Sequence, residues 1–317
     1  MRNDEYQRLV EIARLYYEQD YTQARIAQTF GISRPVVSRL LSEARQQGIV
    51  RIEVRSPMDA EDHLLGELMR TFGIAGGLVV PTSTSDEHAN REMLVSQAAL
   101  YLERLRPTIR RLGIGWGESV RDVIEALEPI DDSAAEGTRV CPVIGSATSA
   151  MQWYQTNELT RMLAARWGFE PAYLHAPAFP VSQRDHDMFV GTLEYRQVSD
   201  LWAHLDAVLL GIGAYPTVPD DATAARFGDR LKVHRAVGTL ATYYFDVRGQ
   251  VIESPDDFAV RIPLETLRRA KRVVVVAGGA AKAPALHGGL ATGLVSHLVT
   301  DEAAARELLR LHQSLHA

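Results

Sequence analysis

The sequence predicts a small all-helical domain over residues 1–57, followed by a larger α/β domain over residues 58–317. Three observations support this division. The 317 residues exceed the length of most single domains. Helical periodicity fills the first part of the chain, and beyond it helical patterns alternate with short apolar runs such as VVVVA at 273–277. Such runs are typical of strands buried on both faces, so we expect a Rossmann-like, mostly parallel sheet covered by helices.

The composition is that of an ordinary globular protein, with 46% hydrophobic and 23% charged residues. Cys141 is the only cysteine, which excludes an intrachain disulfide and a thiolate zinc cluster, and we expect neither a metal nor another cofactor. No apolar run approaches the roughly 20 residues of a membrane-spanning helix. The first 17 residues are charged throughout and lack the apolar segment of a signal peptide. The expected location is the cytoplasm.

The net charge of −6 is unevenly distributed along the chain. Residues 1–56 hold nine arginines against seven acidic residues, and residues 21–51 hold five arginines against one acid, Glu43. The rest of the chain is acidic. A basic head on an acidic body favours contact between the head alone and a polyanion, although solvated arginine faces are common.

The basic head has the pattern of three short helices. Apolar residues at helical spacing predict the first helix, and they are Leu9, Ile12, Ala13, Tyr16 and Tyr17. Thr22 is a suitable N-cap for a second helix over 23–30, and Gly31 suits a C-cap with positive φ. Ser33 would cap a third helix with Pro35 in its first turn, where no amide hydrogen bond is lost. Val37, Leu40 and Leu41 form the predicted buried face of that third helix.

A helix, a glycine turn and a second helix form the helix-turn-helix pattern, for which a generic helical hairpin is the alternative. The outward face of the third helix favours DNA, because in this motif its N-terminal residues meet base edges in the major groove. We expect Arg34 to read guanine and Val36 to contact a thymine methyl. Ser38, Arg39 and Gln23 would equally hold phosphates. The predicted DNA-contacting residues are Thr22, Gln23, Ser33, Arg34, Pro35, Val36, Ser38, Arg39 and Arg45.

A wing is predicted after the third helix. Apolar and charged residues alternate in IVRIEV at 49–54, which indicates a half-buried strand. Ser56-Pro57 then marks the expected domain boundary, so the head would be a winged helix-turn-helix domain.

The rest of the chain alternates between helical and extended patterns. Helices are predicted over 58–73, 86–106, 118–127, 158–167, 185–204, 263–270, 281–291 and 301–314. Strands are predicted over 77–81, 109–116, 139–145, 172–177, 206–213, 272–279 and 296–301, with a hairpin over 238–252.

Small residues cluster at four predicted strand ends, where parallel sheets bind ligands. These strand ends are 113–119, 145–149, 211–214 and 278–282. Glycines followed at once by a helix let backbone amides approach an anion, and Lys282 lies within reach of a phosphate or carboxylate. Tight strand–helix turns also need glycine, so a structural role is the alternative for each loop. No dinucleotide-binding or P-loop fingerprint is present.

Five blocks of the chain, taken together, resemble the SorC/DeoR-type family of bacterial sugar-responsive transcription regulators. They are YTQARIAQTFGISRPVVSRLLSEARQQGIV, LGIGWGESV, DAVLLGIG, AVGTLATYYFDVRG and VVVVAGGAAKAPALHGGLATGLVSHLVTDEAAARELL, in family order. The resemblance implies a DNA-binding head and a C-terminal domain that binds a phosphorylated sugar. It also implies a homo-oligomer, a dimer or tetramer, on paired operator DNA sites.

Carried over by position, the resemblance implies an effector site made of Gly115, Trp116, Gly117, Glu118, Ser119, Gly145, Ser146, Thr148, Ser149, Asn157, Asp246, Gly278, Gly279 and Lys282. For Asn157 and Asp246, a capping or turn role is the alternative. At Thr239 the chain departs from the family, which commonly has Asp after the glycine that corresponds to Gly238. Because the chain has only three lysines, a Schiff base between a lysine and an aldehyde sugar is not expected. Phosphate recognition would then depend on backbone amides, Lys282 and an arginine that the sequence does not identify. An unphosphorylated sugar, a polyol or a nucleoside is the alternative effector.

Two other functions compete with regulation. The effector fold also resembles sugar-phosphate isomerases and glucosamine-phosphate deaminases, in which an Asp-Gly-His turn follows an LLGIG-like strand. Here Ala214-Tyr215-Pro216 follows, with no acid or base for proton transfer. A third interpretation is that the head binds a partner protein. The salt dependence of binding would distinguish the two, because DNA affinity falls steeply as salt rises and an apolar helix contact barely responds. We expect a DNA-binding regulator of a carbohydrate or nucleoside operon, and no enzyme.

Overall fold

The computed structural model describes residues 3–17, 19, 21–46, 49–50, 57–82, 86–130, 137–147, 155–216 and 221–316. The chain divides into two compact units, Met1–Ser56 and Pro57–Ala317. Parts of the prediction lie outside the described residues: the wing strand from residue 51 onward, the side chain of Arg45, and the loop residues Thr148 and Ser149.

The first unit contains three helices, α1 (Asn3–Tyr17), α2 (Gln23–Phe30) and α3 (Arg34–Gln46). The Thr22 hydroxyl accepts a hydrogen bond from the amide of Arg25 at 3.3 Å, and Gly31 ends α2 with a φ of 64°. Both predicted caps of α2 are therefore confirmed, because glycine adopts this left-handed conformation without strain. All three helices contribute to one small core, made by Ile12, Ile26, Ala27, Val37 and Leu41.

The second unit is an α/β domain. Its helices are α4 (Pro57–Phe72), α5 (Glu87–Leu105), α6 (Glu118–Ala126), α7 (Thr156–Trp167), α8 (Gln183–Val190), α9 (Leu193–Trp202), α10 (Asp221–Phe227), α11 (Arg230–Val233), α12 (Leu264–Arg269), α13 (Ala283–Ala291) and α14 (Glu302–His316). Its strands are β1 (Gly76–Val80), β2 (Arg111–Ile114), β3 (Arg139–Pro142), β4 (Glu170–Pro171), β5 (Ala207–Gly211), β6 (Gly213–Ala214), β7 (Ala236–Leu240), β8 (Tyr243–Asp246), β9 (Val273–Val276) and β10 (His297–Asp301).

Seven strands form one parallel sheet in the order β1-β10-β9-β5-β2-β3-β4. In β9, Val273 and Val275 pack into the core on one side of the sheet, whereas Val274 and Val276 pack into the core on the other. This two-sided burial explains why the strand is continuously apolar. The predicted fold class, a helical N-terminal unit followed by a mostly parallel α/β domain, is confirmed.

A smaller antiparallel sheet of β6, β7 and β8 joins this core. Leu240 pairs with Tyr243, so a turn of two residues, Ala241 and Thr242, connects β7 to β8. The predicted hairpin is therefore present, although β6 was not predicted.

Two element predictions were wrong. No strand covers 172–177, because the chain leaves the sheet after β4: the side-chain amide of Asn157 occupies both backbone groups of Leu174, which would otherwise pair with a neighbouring strand. The helix predicted over 185–204 is two helices, α8 and α9, and Thr192 caps the second by accepting a hydrogen bond from the Tyr195 amide at 3.2 Å. Helices α10 and α11 were not predicted.

The strand order creates a crevice at the carboxyl ends of β2 and β5. These two strands are neighbours, but the chain continues from β2 toward β3 on one side and from β5 toward β9 on the other. The loops after them diverge, which is the topological switch point where open α/β sheets bind ligands. Among the described residues, no helix is long and apolar enough to span a membrane.

Candidate functional site

A cleft lies at this switch point. It is lined by Arg91, Gly115, Trp116, Gly117, Glu118, Ser119, Leu210, Gly211, Ile212, Gly213, Ala214, Thr239, Ala241, Thr242 and Lys282. The loop after β2, the loop after β5, the β7–β8 hairpin, the turn before α13 and one side chain of α5 all contribute. The structure thus places together two of the four glycine-rich strand ends, together with Lys282.

Two cations meet in the cleft. The ammonium of Lys282 lies 3.4 Å from the carbonyl oxygen of Ile212. Burial lowers the pKa of Lys282, and nearby Arg91 lowers it further, whereas Glu118 acts in the opposite direction. Lys282 has no carboxylate within ion-pair distance among the described residues. A partly desolvated ammonium without a carboxylate partner is a suitable group for binding an anion.

Arg91 is the cleft arginine that sequence reasoning could not identify. It lies on α5, and its guanidinium contacts Glu118 at 3.1 Å and Asp122 at 2.6 Å. Burial alone would lower the pKa of Arg91, but the hydrogen bonds that it donates to these two carboxylates raise it. No motif surrounds Arg91, because its place in the cleft depends on how α5 packs against α6. The sequence therefore carries no local signal for it.

Apart from Glu118, neutral groups supply the rest of the described lining. The Thr239 hydroxyl is buried and has no hydrogen-bond partner within the part of the chain that the structure describes. Trp116 is half-buried, and its ring meets the ring of Phe179 at 5.8 Å between centroids in an edge-on arrangement. An unpaired hydroxyl and an indole ring suit a ligand that carries both hydroxyl groups and C–H faces, as sugars do.

Two predicted loops have described residues that serve the fold and do not line the cleft, Gly145 and Ser146 in one and Gly278 and Gly279 in the other. The Gly145 amide donates to the Val260 carbonyl at 2.9 Å, and the Ser146 amide donates to the Ala176 carbonyl at 3.0 Å. A Cβ on Gly145 would lie 2.7 Å from the Ala176 carbonyl oxygen, so glycine is needed there for close backbone packing.

The loop after β9 is similar. A Cβ on Gly278 would lie 2.3 Å from a carboxylate oxygen of Asp301, and the Gly279 amide donates to the same oxygen at 2.6 Å. This amide is therefore already occupied by a carboxylate of the protein itself. Of the predicted anion-binding turn, only Lys282 lines the cleft.

Asn157 and Asp246 also lie outside the cleft lining, and each side chain bonds to backbone instead, Asp246 in a local turn and Asn157 at a residue 17 positions away. The Asn157 side chain binds both backbone groups of Leu174, at 3.1 and 3.0 Å. The Asp246 carboxylate accepts hydrogen bonds from the amides of Arg248 and Gln250, each at 2.9 Å, and so stabilises the turn after β8. Short polar side chains commonly bond nearby backbone in this way.

The outward face of α3 is accessible in the first unit. Ser33, Arg34, Pro35, Ser38 and Arg39 are exposed and Val36 is half-buried, while Thr22 is exposed and Gln23 half-buried at the start of α2. A shallow depression beside them is lined by Tyr16, Tyr17, Tyr21, Thr22, Gln23, Ala24 and Arg34. Tyr17, expected in the buried stripe, is 37% exposed at this depression, because α1 ends there. Among the described residues, this lining contains an arginine and polar groups but no carboxylate, which suits contact with a phosphate backbone.

Both units of the chain match families of known proteins. Residues 56–310 match the family described as "Putative sugar-binding domain", and residues 7–47 match region 4 of sigma-70. The chain is 29% identical to the sorbitol operon regulator of Klebsiella pneumoniae, with 97% of this chain and 99% of that protein covered. It is 28% identical to the deoxyribonucleoside regulator of Bacillus subtilis, with 98% and 99% covered.

Solved structures show the same likeness. The full-length sorbitol operon regulator SorC of Klebsiella pneumoniae superimposes with a TM-score of 0.73 at 29% identity, covering 97% of this chain and 100% of that one. A probable sor operon regulator from Shigella flexneri superimposes with a TM-score of 0.70 at 25% identity, covering 79% and 99%. Because both regions match in the same order along nearly the whole chain, the protein belongs to the SorC family of transcription regulators, which join a helix-turn-helix region to a sugar-binding domain.

Proposed function

We propose that the protein regulates a carbohydrate or nucleoside operon by binding operator DNA through α2 and α3 and a small sugar or sugar phosphate in the cleft. The observation that carries the proposal is the cleft itself, a switch-point crevice that holds the ammonium of Lys282, which has no carboxylate partner among the described residues. Relatives named for sorbitol and for deoxyribonucleosides support a polyol or a nucleoside derivative as the ligand.

Each lining group has a role in this proposal. Lys282 binds the anionic end of the ligand as a point charge, and Arg91 adds positive potential beside it. The Thr239 hydroxyl and the Glu118 carboxylate bind ligand hydroxyls. The ring of Trp116 packs against the C–H face of the sugar.

An unphosphorylated ligand is the second candidate. Arg91 is already bound to Glu118 and Asp122, at 3.1 and 2.6 Å, so Lys282 would be the main cation left for a phosphate. A single buried ammonium also suits an acidic sugar or a polyol oxygen, because it donates up to three hydrogen bonds.

Thermal unfolding against a panel of sugar phosphates, free sugars, polyols and nucleosides tests the ligand class. A ligand that binds only the folded state stabilises it by about 2.7 kcal/mol at 100 times its dissociation constant. The Lys282→Met variant should lose most of this shift for a phosphorylated ligand, because a charge-assisted hydrogen bond contributes about 1.5–3 kcal/mol. Lys232→Met, the same change at an exposed site outside the cleft lining, should keep it. An equal response of both variants would contradict binding at Lys282.

Three finer statements belong to this proposal. We propose that the cleft binds its ligand without converting it chemically, since the ionisable side chains among its described lining residues are Arg91, Glu118 and Lys282, with no imidazole to shuttle protons. The protein would act in the cytoplasm as a homo-oligomer, because helix-turn-helix heads commonly read paired half-sites as dimers. Product formation from a stabilising sugar phosphate, followed by nuclear magnetic resonance, would contradict the first statement, and a monomer on operator DNA in sedimentation would contradict the last.

A further inference from the structure

The turn between β7 and β8 is a strained part of the cleft. Ala241 and Thr242 have φ angles of 46° and 64°, and both line the cleft. A two-residue hairpin turn with positive φ at both positions is the type I′ geometry, which favours Asn, Asp and Gly. Alanine and threonine adopt it only where the surrounding structure holds them.

Arg261 is the side chain that holds this turn. Its Nη1 donates to the Thr242 carbonyl oxygen at 2.7 Å and to the Thr242 hydroxyl at 2.8 Å. The guanidinium also lies 3.6 Å from the centre of the Tyr243 ring, on the next residue. Two hydrogen bonds and a cation–π contact thus connect one side chain to the end of the turn.

Arg261 is held in turn by an ion pair with Asp257, which also pairs with Arg226. Its Nη2 donates to one oxygen of Asp257 at 2.6 Å, and Arg226 donates to the other oxygen at 2.6 and 2.9 Å. We call these three residues the ion triad. Their side chains are only 4–10% exposed. A buried ion pair confers little net stability compared with apolar packing, so a specific geometric role is the better explanation for the triad.

The ion triad is also connected to Trp116, another lining residue of the cleft, through an aromatic ring. The Arg226 guanidinium lies 4.1 Å from the centre of the Phe179 ring, which packs edge-on against Trp116. The triad is therefore connected to the turn directly and to the indole ring through Phe179.

We propose that Arg261, fixed by Asp257 and Arg226, is a positioning residue that keeps the Ala241–Thr242 turn in its ligand-facing conformation. This inference rests on the proposed function in one respect, that the cleft is the effector site. A turn that is already formed lowers the ordering cost of ligand binding. Arg261 thereby raises effector affinity while contacting the turn and not the effector.

The Arg261→Met variant tests the role without ligand. It removes both bonds to Thr242 but leaves Arg226 and Asp257 as a balanced ion pair, so we expect it to fold. Amide hydrogen exchange across residues 239–246 should become faster by about tenfold or more, because the strained turn opens locally. Lys271→Met is the matched control: it removes an ion pair with Asp206 at the amino ends of the strands and should leave this exchange unchanged.

A rescue separates positioning from general stability. In the Arg261→Met background, Ala241→Asn with Thr242→Gly installs the residues that type I′ turns favour. Slow exchange should return, because the turn then no longer needs Arg261. Unchanged exchange in Arg261→Met, or fast exchange that the Asn-Gly turn does not slow, would overturn the proposal.

The ligand measurement uses two named probes, D-sorbitol 6-phosphate and 2-deoxyribose 5-phosphate. Affinity for whichever probe binds should fall by about tenfold in Arg261→Met and recover at least in part with the Asn-Gly turn. Faster exchange with unchanged affinity would overturn the ligand-facing role. If the wild-type protein binds neither probe, the result counts against the proposed function for these ligands, while the exchange measurement still decides whether Arg261 positions the turn.

Discussion

Charged side chains near the cleft differ in how completely the protein satisfies them. Arg91 has two carboxylate partners and the ion triad binds its own members, whereas Lys282 has one weak contact, with the Ile212 carbonyl. Burial lowers the pKa of Lys282, which makes the ammonium more costly without an anion than with one. Among the described residues, Lys282 is therefore the group whose energy a ligand would change most.

Reasoning from sequence proposed Lys282 and Trp116 for the site because their residue types alone suggested chemistry, and both line the cleft. It was wrong about the Gly279 amide, which Asp301 already occupies from 22 residues away. It could not identify Arg91 or Arg261, because their partners come from other elements of the fold. Polar groups are assigned by their neighbours in space, and single-sequence patterns do not record those neighbours.

Cys141 should be chemically inert in the native protein. Burial raises the pKa of this thiol to about 12, against about 8.5 for a free cysteine. The folded state keeps the proton while the unfolded state loses it above pH 8.5, so the thiol's contribution to stability is present below that pH and is lost as pH rises. We expect slow labelling by a thiol reagent at pH 8 and fast labelling in denaturant. Rapid labelling of native protein would contradict the buried placement.

Asp206 should make the free energy of unfolding depend on pH in the acidic range. Burial would raise the pKa of this carboxyl, but the hydrogen bonds from Lys271 and from the amides of Arg110 and Arg111 outweigh it and hold the pKa below its usual range. The contribution is present above the unfolded pKa of about 3.9 and is lost as pH falls through the lower folded value. Asp206→Asn should cost about 1.5–3 kcal/mol at pH 7 and progressively less in acid, as denaturant unfolding would measure. A cost that does not change with pH would contradict this account.

Among the elements, long periodic helices and the apolar strands were predictable because their patterns follow from burial on one or two faces. The hairpin was also predictable from its alternation. Helices α10 and α11 and strand β4 were not predictable. They have seven, four and two residues, which is too short for a periodic pattern to show in the sequence. The switch-point cleft required the strand order, which no local pattern gives.

Helix α3 provides the test of DNA reading. Arg34→Ala should weaken binding to a sequence selected by the wild-type protein by about 1–3 kcal/mol if Arg34 reads a base. The measurement compares fluorescence-anisotropy titrations with the selected fragment and with random DNA. Arg34 also borders the depression at the start of α2. An equal loss on both fragments, together with a smaller salt slope, would make it a phosphate contact instead.

For the whole molecule, the central claim is that ligand in the cleft and DNA on the first unit influence each other. Such coupling between sites is typically about 1–3 kcal/mol, and it must be reciprocal: the factor by which ligand changes DNA affinity equals the factor by which DNA changes ligand affinity. Its sign, release from DNA or tighter binding, is set by which conformational state of the protein each ligand favours.

The most direct test measures operator affinity of the wild-type and Lys282→Met proteins with and without a saturating sugar phosphate identified by thermal unfolding. We predict that the ligand changes wild-type operator affinity by about 5- to 150-fold. Lys282→Met should bind the operator as the wild-type protein does without ligand, and should lose the response at the same ligand concentration. A wild-type protein whose operator affinity is unchanged by a ligand that demonstrably fills the cleft would contradict the account.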